Sequence, residues 1–585
     1  PTCGSGAFLF AALNILKPLY DATLRTLQAV RADALMAGDI STPESWAEVD
    51  ELLNRFAAAG SDRAQDYAVI KHIIVHNLYG VDIEKQATEI AKLRLFLKLV
   101  ALLEPGDEIE PLPDIDFNIR HGNTLVGYAT ADDTEKAVKG ATQGNLFSDA
   151  WEDIRIRLVE VEQQYNNFQI QQVQQGGHVS ATDKQALGAA LSELEEMLNY
   201  HLAREYGVNT TKAKEFEAWK ISHQPFHWYV DFYPLMAVGG FDAVVGNPPY
   251  VEYSKVRGLY QVKGLETLES GNLYCYCIER LSALCRDSSF SGLIVPIAIG
   301  SVSDTNILRK ICSDLYGSLW SSHFAIRPAK LFDGVEQRLT ILIGCHGPSD
   351  GNWYTSKYHQ WFSEERSELF SKIILVSMPP RLSEESPWPK IGSVTEARIL
   401  EKLRIFEGSP THLLLTDSSK WVMYFHRTPG YWIRMLDFLP FFESPAGDRS
   451  VHHIRELYAT SEAARAEIAG LGSSSLYFWW FFAIGNCRNL TKGDLLGFPA
   501  PRLDAGGAVE IVRIFNELMK SYKDNSSVKS RAKARYQEFD WVAAKPSVDA
   551  MDEFFAKVFG LTDEELDFVI NYDIKVRVGD VAEGI

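Results

Sequence analysis

Cysteine is scarce in this chain: seven residues in 585, with no CxxC pair and no zinc-like cluster. That excludes a disulfide-stapled scaffold and a zinc-ribbon architecture. Cys3, Cys275, Cys277, Cys285, Cys312, Cys345 and Cys487 include several in apolar runs, which predicts reduced, buried thiols in a cytoplasmic protein. Positive charge is in short supply too. Lys and Arg number 58 against 77 Asp and Glu, a formal net charge of −19. This excludes indiscriminate coating of nucleic acid but leaves room for a local basic cleft. No signal-peptide pattern is visible, and the longest apolar runs, such as LYFWWFFAIG at 476–485, read as too short to span a bilayer. Disordered and collagen-like compositions are excluded by 46% hydrophobic and 23% charged residues.

What is present is length enough for two to four domains, each with its own core. Residues 7–37 follow a Gly-rich turn and carry apolar residues at helical spacing. The stretch 41–66 opens with a helix-start pattern in which Ser41 or Thr42 caps, Pro43 suits the first turn, and Glu44 or Glu48 suits the dipole. LYGVDI predicts a short buried strand. The helix after it draws apolar surface from Ala87, Ile90, Ala91, Leu93, Leu95 and Leu97. DFNIRHGNTLVG predicts a second strand and a polar turn.

From about 128 to 229 the sequence turns Gln-rich and charged, as in a helical hairpin broken at Gly176-Gly177, and is expected to be an insertion. Strand and helix patterns then alternate: FDAVVGNPPY, a helix at 272–286, SGLIVPIAIG, and RLTILIGC at 338–345. Such alternation predicts a mostly parallel sheet with helices on both faces. Beyond about 350 the spacing becomes irregular and rich in Trp, Tyr, Phe and Pro, predicting a second, mixed domain, and 508–585 reads as helical. The chain opens at Pro1 inside a motif, so a fragment lacking its upstream part is expected.

Four stretches carry chemistry. PTCGSGAFLF places Gly4 and Gly6 in a turn that feeds directly into a helix, a geometry that lets backbone approach a nucleotide-like ligand. A lone GxG is weak, but its Pro-x-Cys-Gly-Ser-Gly context is more specific. Asp82 at a strand's end can accept hydrogen bonds from ribose hydroxyls, or cap the following helix. It lies about 76 residues beyond Gly6, against roughly 20 in the simplest dinucleotide folds, so the segment around 41–66 must be inserted. Asn123 in HGNTLVG can meet a ligand's adenine amine, or close a turn through its own side chain. Asn247-Pro248-Pro249-Tyr250 ends a strand stiffly, because neither proline donates an N–H and Asn247 is pushed toward extended geometry.

In this order the four stretches resemble the adenine-N6 DNA methyltransferases that use S-adenosylmethionine, and most nearly the Eco57I-like methylases of restriction-modification systems. The resemblance implies an α/β fold: a Rossmann-like methyltransferase sheet with helical insertions, a mixed α+β target-recognition domain and a helical tail. Its expected divisions are a first core part at 1–127 (insert at about 41–66), a helical insertion at 128–229, and a second core part at 230–350. A DNA target-recognition domain at 351–507 and a helical region at 508–585 complete them.

The resemblance implies that Thr2, Cys3, Gly4, Ser5 and Gly6 hold the methionine part of the cofactor. It assigns Asp82 with Ile83 to the ribose, and Asn123 to the cofactor's adenine. Asn247, Pro248, Pro249 and Tyr250 act on the target base, and Phe332 in KLFDGVEQRLTILIG helps pack it. SSSLYFWWFFAIGNCRNLTKGDLLGFPAPRL is similar to the closing part of a recognition domain. The acidic residue that normally precedes Pro1 and an upstream cofactor-binding segment are absent.

Chemically, adenine's exocyclic amine is a poor nucleophile because its lone pair is conjugated into the ring. Acceptors from Asn247 and the Pro248 carbonyl would stabilise charge developing on that nitrogen. The stiff prolines limit reorganisation, and Tyr250 offers a face to a flipped base. No metal is implied.

SKWVMYFHRTPGYWIRMLDF interleaves Lys420, His426, Arg427 and Arg434 with aromatics, which suits phosphates and base edges or a packed core with solvated charges. Arg488 and Lys492 could meet the DNA backbone or flank a helix cap. The expected partner is double-stranded DNA, with restriction or defence-system subunits as further candidates and no membrane. No Pro-Asp…Glu-x-Lys nuclease cluster stands out. Methyl transfer to RNA or to a protein glutamine, or an inactive DNA-specificity subunit, remain as alternatives.

Overall fold

A computed structural model describes residues 1–36, 50, 53–54, 56, 62–103, 112–140, 149–174, 180–348, 352–378, 386–406, 408–415, 417–445, 453–531 and 534–578. The expected helix start at Ser41, Thr42, Pro43, Glu44 and Glu48, and the expected break at Gly176-Gly177, lie outside the described residues. The chain divides into two compact units. The first is Pro1–Ile294 with Asp314–Gly317 and Ile343–Pro348, and the second is Val295–Ser313 with Ser318–Leu342 and Ser349–Ile585.

In the first unit, helix α1 (Ala7–Met36) begins at the Gly-rich turn and α2 (Asp62–Asn77) packs against it. Leu9, Leu13 and Leu24 of α1 meet Ile70, Ile73 and Ile74 of α2 in one apolar cluster. By length and composition, Ala7–Ala34 is long and apolar enough to cross a membrane, with 17% of its most apolar window buried. This corrects the expectation that every apolar run is too short. Isolated polar residues such as Asn14 and Lys17 break the run for the eye without lowering its average hydropathy enough. Lys17 pairs with Asp21 and with Asp66 of α2.

Strand β1 (Gly80–Asp82) leads into α3 (Lys85–Val100), and β2 (Ile119–His121) pairs with β1 in parallel, Asp82 opposite His121. The buried positions of α3 are Thr88, Ala91, Leu95 and Leu99, spaced nearly a turn apart as one core-facing stripe requires. Ile90, Leu93 and Leu97, expected to contribute to that stripe, are 48%, 55% and 57% exposed. The helix is apolar on more than one side, so of the six residues named from composition Ala91 and Leu95 are buried and these three are not.

The segment after β2 is helical, as the Gln-rich composition predicts: α4 (Ala131–Gly140), α5 (Asp149–Gln174), α6 (Ala181–Glu205) and α7 (Ala213–His223). Ser180 caps α6 through its hydroxyl, which accepts from Thr182 N. Ile154, Leu158, Val161, Tyr165 and Phe168 of α5 are buried, as are Leu187, Leu191, Leu194 and Leu198 of α6. Three- and four-residue spacing puts each set on one face. The insertion is tied to the sheet by Arg120 of β2, whose guanidinium lies 2.6 Å from Glu195 and 2.8 Å from Asp231. Burial pushes Asp231 well above the usual carboxylate range. Burial opposes ionisation of Glu195 as well, yet Arg120 holds it below its ordinary value.

The next strands are β3 (Phe241–Gly246), β4 (Cys285–Pro296), β5 (Tyr316–Phe324), β6 (Leu339–His346), β7 (Trp353–His359) and β8 (Val376–Ser377). In the first unit β3 pairs in parallel with β4, Val244 opposite Ser291, and α8 (Leu273–Leu284) precedes β4. In the second, β5 pairs in parallel with β7, and β7 antiparallel with β8. Crossover connections between parallel neighbours make this an α/β protein.

The second unit continues with α9 (Val394–Arg404), then β9 (Leu414–Leu415), β10 (Val422–His426), β11 (Met435–Leu436), β12 (Phe442–Glu443) and β13 (Ile454–Ala459). Helices α10 (Glu462–Ser473), α11 (Ser475–Ile484) and α12 (Ala505–Asp524) follow. LYFWWFFAI forms α11, nearly all of it buried and capped by Ser474. The tail, expected to be helical, also contains a hairpin of β14 (Ser526–Arg531) and β15 (Ala534–Phe539) before α13 (Trp541–Phe559) and α14 (Asp563–Asn571). Serines, lysines and arginines hid that hairpin, because neither face is dominated by apolar residues. Tail residues Val548, Met551, Phe555 and Phe559 share one core with Trp479, Phe481, Leu457 and Ile399.

Candidate functional site

The four motif stretches converge at the C-terminal ends of β1, β2 and β3, where ligand crevices of open α/β sheets lie. Cys3 N donates to the carbonyl of Val81 in β1, at 2.9 Å. Gly4 N donates to Asp82 Oδ2 at 2.8 Å, and Glu84 N donates to Asp82 Oδ1 at 2.9 Å. Gly122 N donates to the carbonyl of Asp82 at 2.9 Å, which holds Asn123 beside the same strand end. A side chain at Gly246, directly before Asn247, would stand 3.4 Å from the carbonyl oxygen of Pro1 and 4.0 Å from Thr2 Oγ1. Stretches more than a hundred residues apart are therefore neighbours, although β1 and β2 form a two-stranded sheet of their own and β3 belongs to another, a departure from the single sheet that the sequence predicts.

The glycines of the turn serve different ends. Gly6 has φ +79°, and a Cβ there would come within 2.9 Å of Ala91 Cβ, so glycine is what lets α3 approach the turn. Gly4 has φ +54° with nothing within 4 Å of a Cβ position, leaving open space over the backbone. Arg94 of α3 clamps the turn through Nη1, which donates to Ser5 O at 3.0 Å. No sequence signal pointed to Arg94, which reads as one of several charges on a helix.

Asn123 is 3% exposed. Its Oδ1 accepts from Leu125 N at 3.1 Å, closing the turn that sequence reasoning gave as an alternative role, while its buried Nδ2 has no hydrogen-bond partner among the described residues. The second lone pair of Oδ1 and the free Nδ2 are what it could offer a ligand. The carbonyl of Ile83 lies 3.1 Å from His121 Nε2. Burial pushes the Cys3 thiol up to about 11, so it is a neutral, packed thiol at neutral pH and not a nucleophile.

Beyond β3 the chain leaves the sheet at Asn247, as the two prolines require. Asn247 is exposed, Pro248 is buried, and Pro249 and Tyr250 are half-buried. The Tyr250 hydroxyl hydrogen-bonds Asn247 Oδ1 and lies 3.0 Å from the carbonyl oxygen of Ile294 in β4. Burial raises the Tyr250 phenol well above its ordinary value, so it stays a neutral hydroxyl. An exposed amide, stiff carbonyls and an aromatic ring beside an open glycine turn can together hold a planar amine against a nucleotide-like ligand.

The remaining expected residues belong to the second unit. Phe332 is 37% exposed between β5 and β6. Lys420 is exposed, with its ammonium 4.7 Å from the ring centre of Trp421. Arg427 and Arg488 are exposed. Lys492 is exposed at the start of a short helix capped by Thr491 and Asp494, the capping role that sequence reasoning weighed for this stretch. Arg434 is half-buried and lines an open cavity.

Fold and site together define an α/β domain in which a glycine-rich turn, an acidic strand end and an Asn-Pro-Pro-Tyr turn come together at the ends of parallel strands. Residues 76–316 match the family model of the Eco57I restriction-modification methylase. A protein of Methanocaldococcus jannaschii described as a type II restriction enzyme and methyltransferase, RM.MjaORFECS2P, is 26% identical over 314 residues. That match covers 46% of this chain and 26% of the relative, so the chain spans about a quarter of the curated relative's length.

Among solved structures, the Type IIL restriction-modification enzyme MmeI in complex with DNA aligns at 11% identity. The alignment covers 90% of this chain and 76% of that one, with a TM-score of 0.36. A nuclease-deletion mutant of the Type ISP enzyme LlaGI, bound to a DNA substrate mimic, aligns at 11% identity over 91% of this chain and 45% of that one, TM-score 0.39.

Proposed function

We propose that the chain is the methyltransferase part of a restriction-modification or phage-defence enzyme. In this reading it transfers a methyl group from S-adenosylmethionine to N6 of an adenine flipped out of duplex DNA. The observation that carries the reading is the convergence of Gly4, Asp82, Asn123 and Asn247 at the ends of β1, β2 and β3, three of the four lying within the residues that match the Eco57I family model. The residues fit the cofactor: open space lies over Gly4, Asp82 stands half-exposed at the strand end, and Asn123 keeps a buried, unpartnered amide nitrogen. Thr2 to Gly6 would hold its methionine part, Asp82 and Ile83 its ribose, and Asn123 its adenine. When bound, the sulfonium supplies an activated methyl group.

The chain's own part is electrostatic and positional. Asn247 Oδ1 and the Pro248 carbonyl accept hydrogen bonds from the target amine, so positive charge developing on nitrogen meets fixed negative dipoles. Burial of Pro248 holds that carbonyl in place, which limits reorganisation. Tyr250 offers its ring to the extruded base, and stacking worth roughly 1–3 kcal/mol offsets part of the few kcal/mol spent on unstacking. No side-chain nucleophile is required.

The test is transfer of label from S-adenosylmethionine to mixed-sequence duplex DNA, followed by nucleoside analysis. N6-methyladenine is the expected product. Label on protein or RNA, or none from a chain that binds the cofactor, refutes the reading. Asn247→Ala should abolish transfer with cofactor binding retained; equal loss of both would make the motif structural.

A further inference from the structure

The second unit contains a cavity of about 540 Å³ that no role above uses. It opens between two small sheets, β11-β10-β13-β9 and β12-β15-β14. Its size falls in the roughly 300–1,000 Å³ range of small-molecule sites. Tyr424, Trp432, Phe441, Tyr536 and Phe539 supply aromatic wall. Arg434, His426 and His453 are the lining residues able to carry charge as cations, and no Asp or Glu lines it among the described residues. In a chain of net charge −19, a pocket without a carboxylate is a selective feature.

Arg434 is the centre of this feature. Its guanidinium lies 5.2 Å from the ring centre of Phe539 and makes no hydrogen bond or ion pair among the described residues. Burial holds it below its ordinary value, with Tyr522 and Glu538 offsetting part of that effect. His426 is likewise lowered, by burial first and then by Arg434 and His453. A half-buried guanidinium with free N–H groups is suited to two-pronged recognition of a phosphate, while the rings beside it suit a planar heterocycle.

We propose that this cavity is a nucleotide subsite, in which Arg434 takes the phosphate and the aromatic wall takes the base. The choice of a nucleotide over other aromatic anions rests on the DNA reading given above. The same chemistry is offered by a free mononucleotide and by one nucleotide of a bound DNA.

The experiment is calorimetric titration of dAMP, dGMP, dCMP and TMP, and of the corresponding deoxynucleosides, into the chain and its R434Q and R434K variants. At least one mononucleotide should bind at one per chain, its nucleoside at least tenfold more weakly. R434Q should weaken the mononucleotide at least tenfold, and R434K by less. Failure of every mononucleotide to bind, or equal binding by wild type and R434Q, overturns the proposal. Should R434Q not fold by circular dichroism, R434K decides: affinity equal to wild type for nucleotide and nucleoside alike overturns it. Duplex DNA binding weakened by prior saturation with mononucleotide assigns the site to DNA, and unchanged binding assigns it to the free nucleotide. Methyl transfer measured on the same samples separates the two readings, since a chain that methylates DNA but binds no mononucleotide loses only the subsite.

Discussion

The hydroxyl of Tyr250 is shared between two acceptors, Asn247 Oδ1 and the carbonyl oxygen of Ile294. One proton serves one acceptor at a time, so when it is on the amide the tyrosine takes one of the two lone pairs that a substrate amine could use. The ring and the hydroxyl therefore have opposite effects: the ring favours a base, and the hydroxyl competes with it. Tyr250→Phe should keep methyl transfer within about threefold of wild type, whereas Tyr250→Ala should lose roughly the 1–3 kcal/mol of a stacking contact. Steady-state transfer to DNA checks both. Equal losses in the two variants would mean that the hydroxyl, not the ring, is what matters.

Gly6→Ala forces a side chain into a φ of +79° and against Ala91 Cβ. The backbone strain alone is of order 1–3 kcal/mol, so a lowered urea midpoint is expected. Gly4→Ala has similar strain at φ +54° but no clash, and should destabilise less. Paired urea titrations compare them, and a Gly4 variant as damaged as the Gly6 variant would contradict the packing argument.

Asp82→Ala leaves Gly4 N and Glu84 N without their shared carboxylate. Losing the acceptor of the partly buried Gly4 N costs about 1–3 kcal/mol, and the ribose contact of the proposed site goes with it. S-adenosylmethionine affinity should fall at least tenfold by calorimetry, with duplex DNA affinity unchanged.

Asp552 carries the pH prediction. It is buried, its Oδ1 accepts from Ser475 N at 2.7 Å, and burial pushes it up to about 7 from the ordinary 3.8. A carboxyl raised in the fold binds its proton more tightly folded than unfolded. Its contribution is therefore complete below about pH 4 and lost as pH climbs toward 7, at about 1.4 kcal/mol per pH unit in between. Asp552→Asn should flatten the stability profile between pH 4 and 7 in urea titrations at fixed temperature. An unchanged slope would mean that other groups set it.

Much of the first unit was legible because its signals are local. Gly-rich turns, a strand end before Asp82, and prolines after β3 act within a few residues, and the structure sets those elements where the patterns place them. The stripe on α3 was misread because Ile90, Leu93 and Leu97 are as apolar as the buried residues, and only packing decides which face turns inward. The hairpin at 526–539 was missed since its stability comes from pairing with β12 and from Phe539 alone on the core side. Arg434, grouped with Lys420 and Arg427 by neighbourhood in sequence, differs from them by facing a cavity, a distinction that arises only when two sheets close around it.

The hydrogen bond from Gly4 to Asp82 joins residues 78 positions apart, and Asn247 reaches the same place from farther still. Contacts of this kind bear the full entropy of closing long loops, which delays them in folding. The crevice is then among the last features of the unit to form. A ligand that binds only the finished crevice adds its binding free energy to the folding equilibrium, so its presence protects the whole unit, helical insertion included, against denaturant or protease.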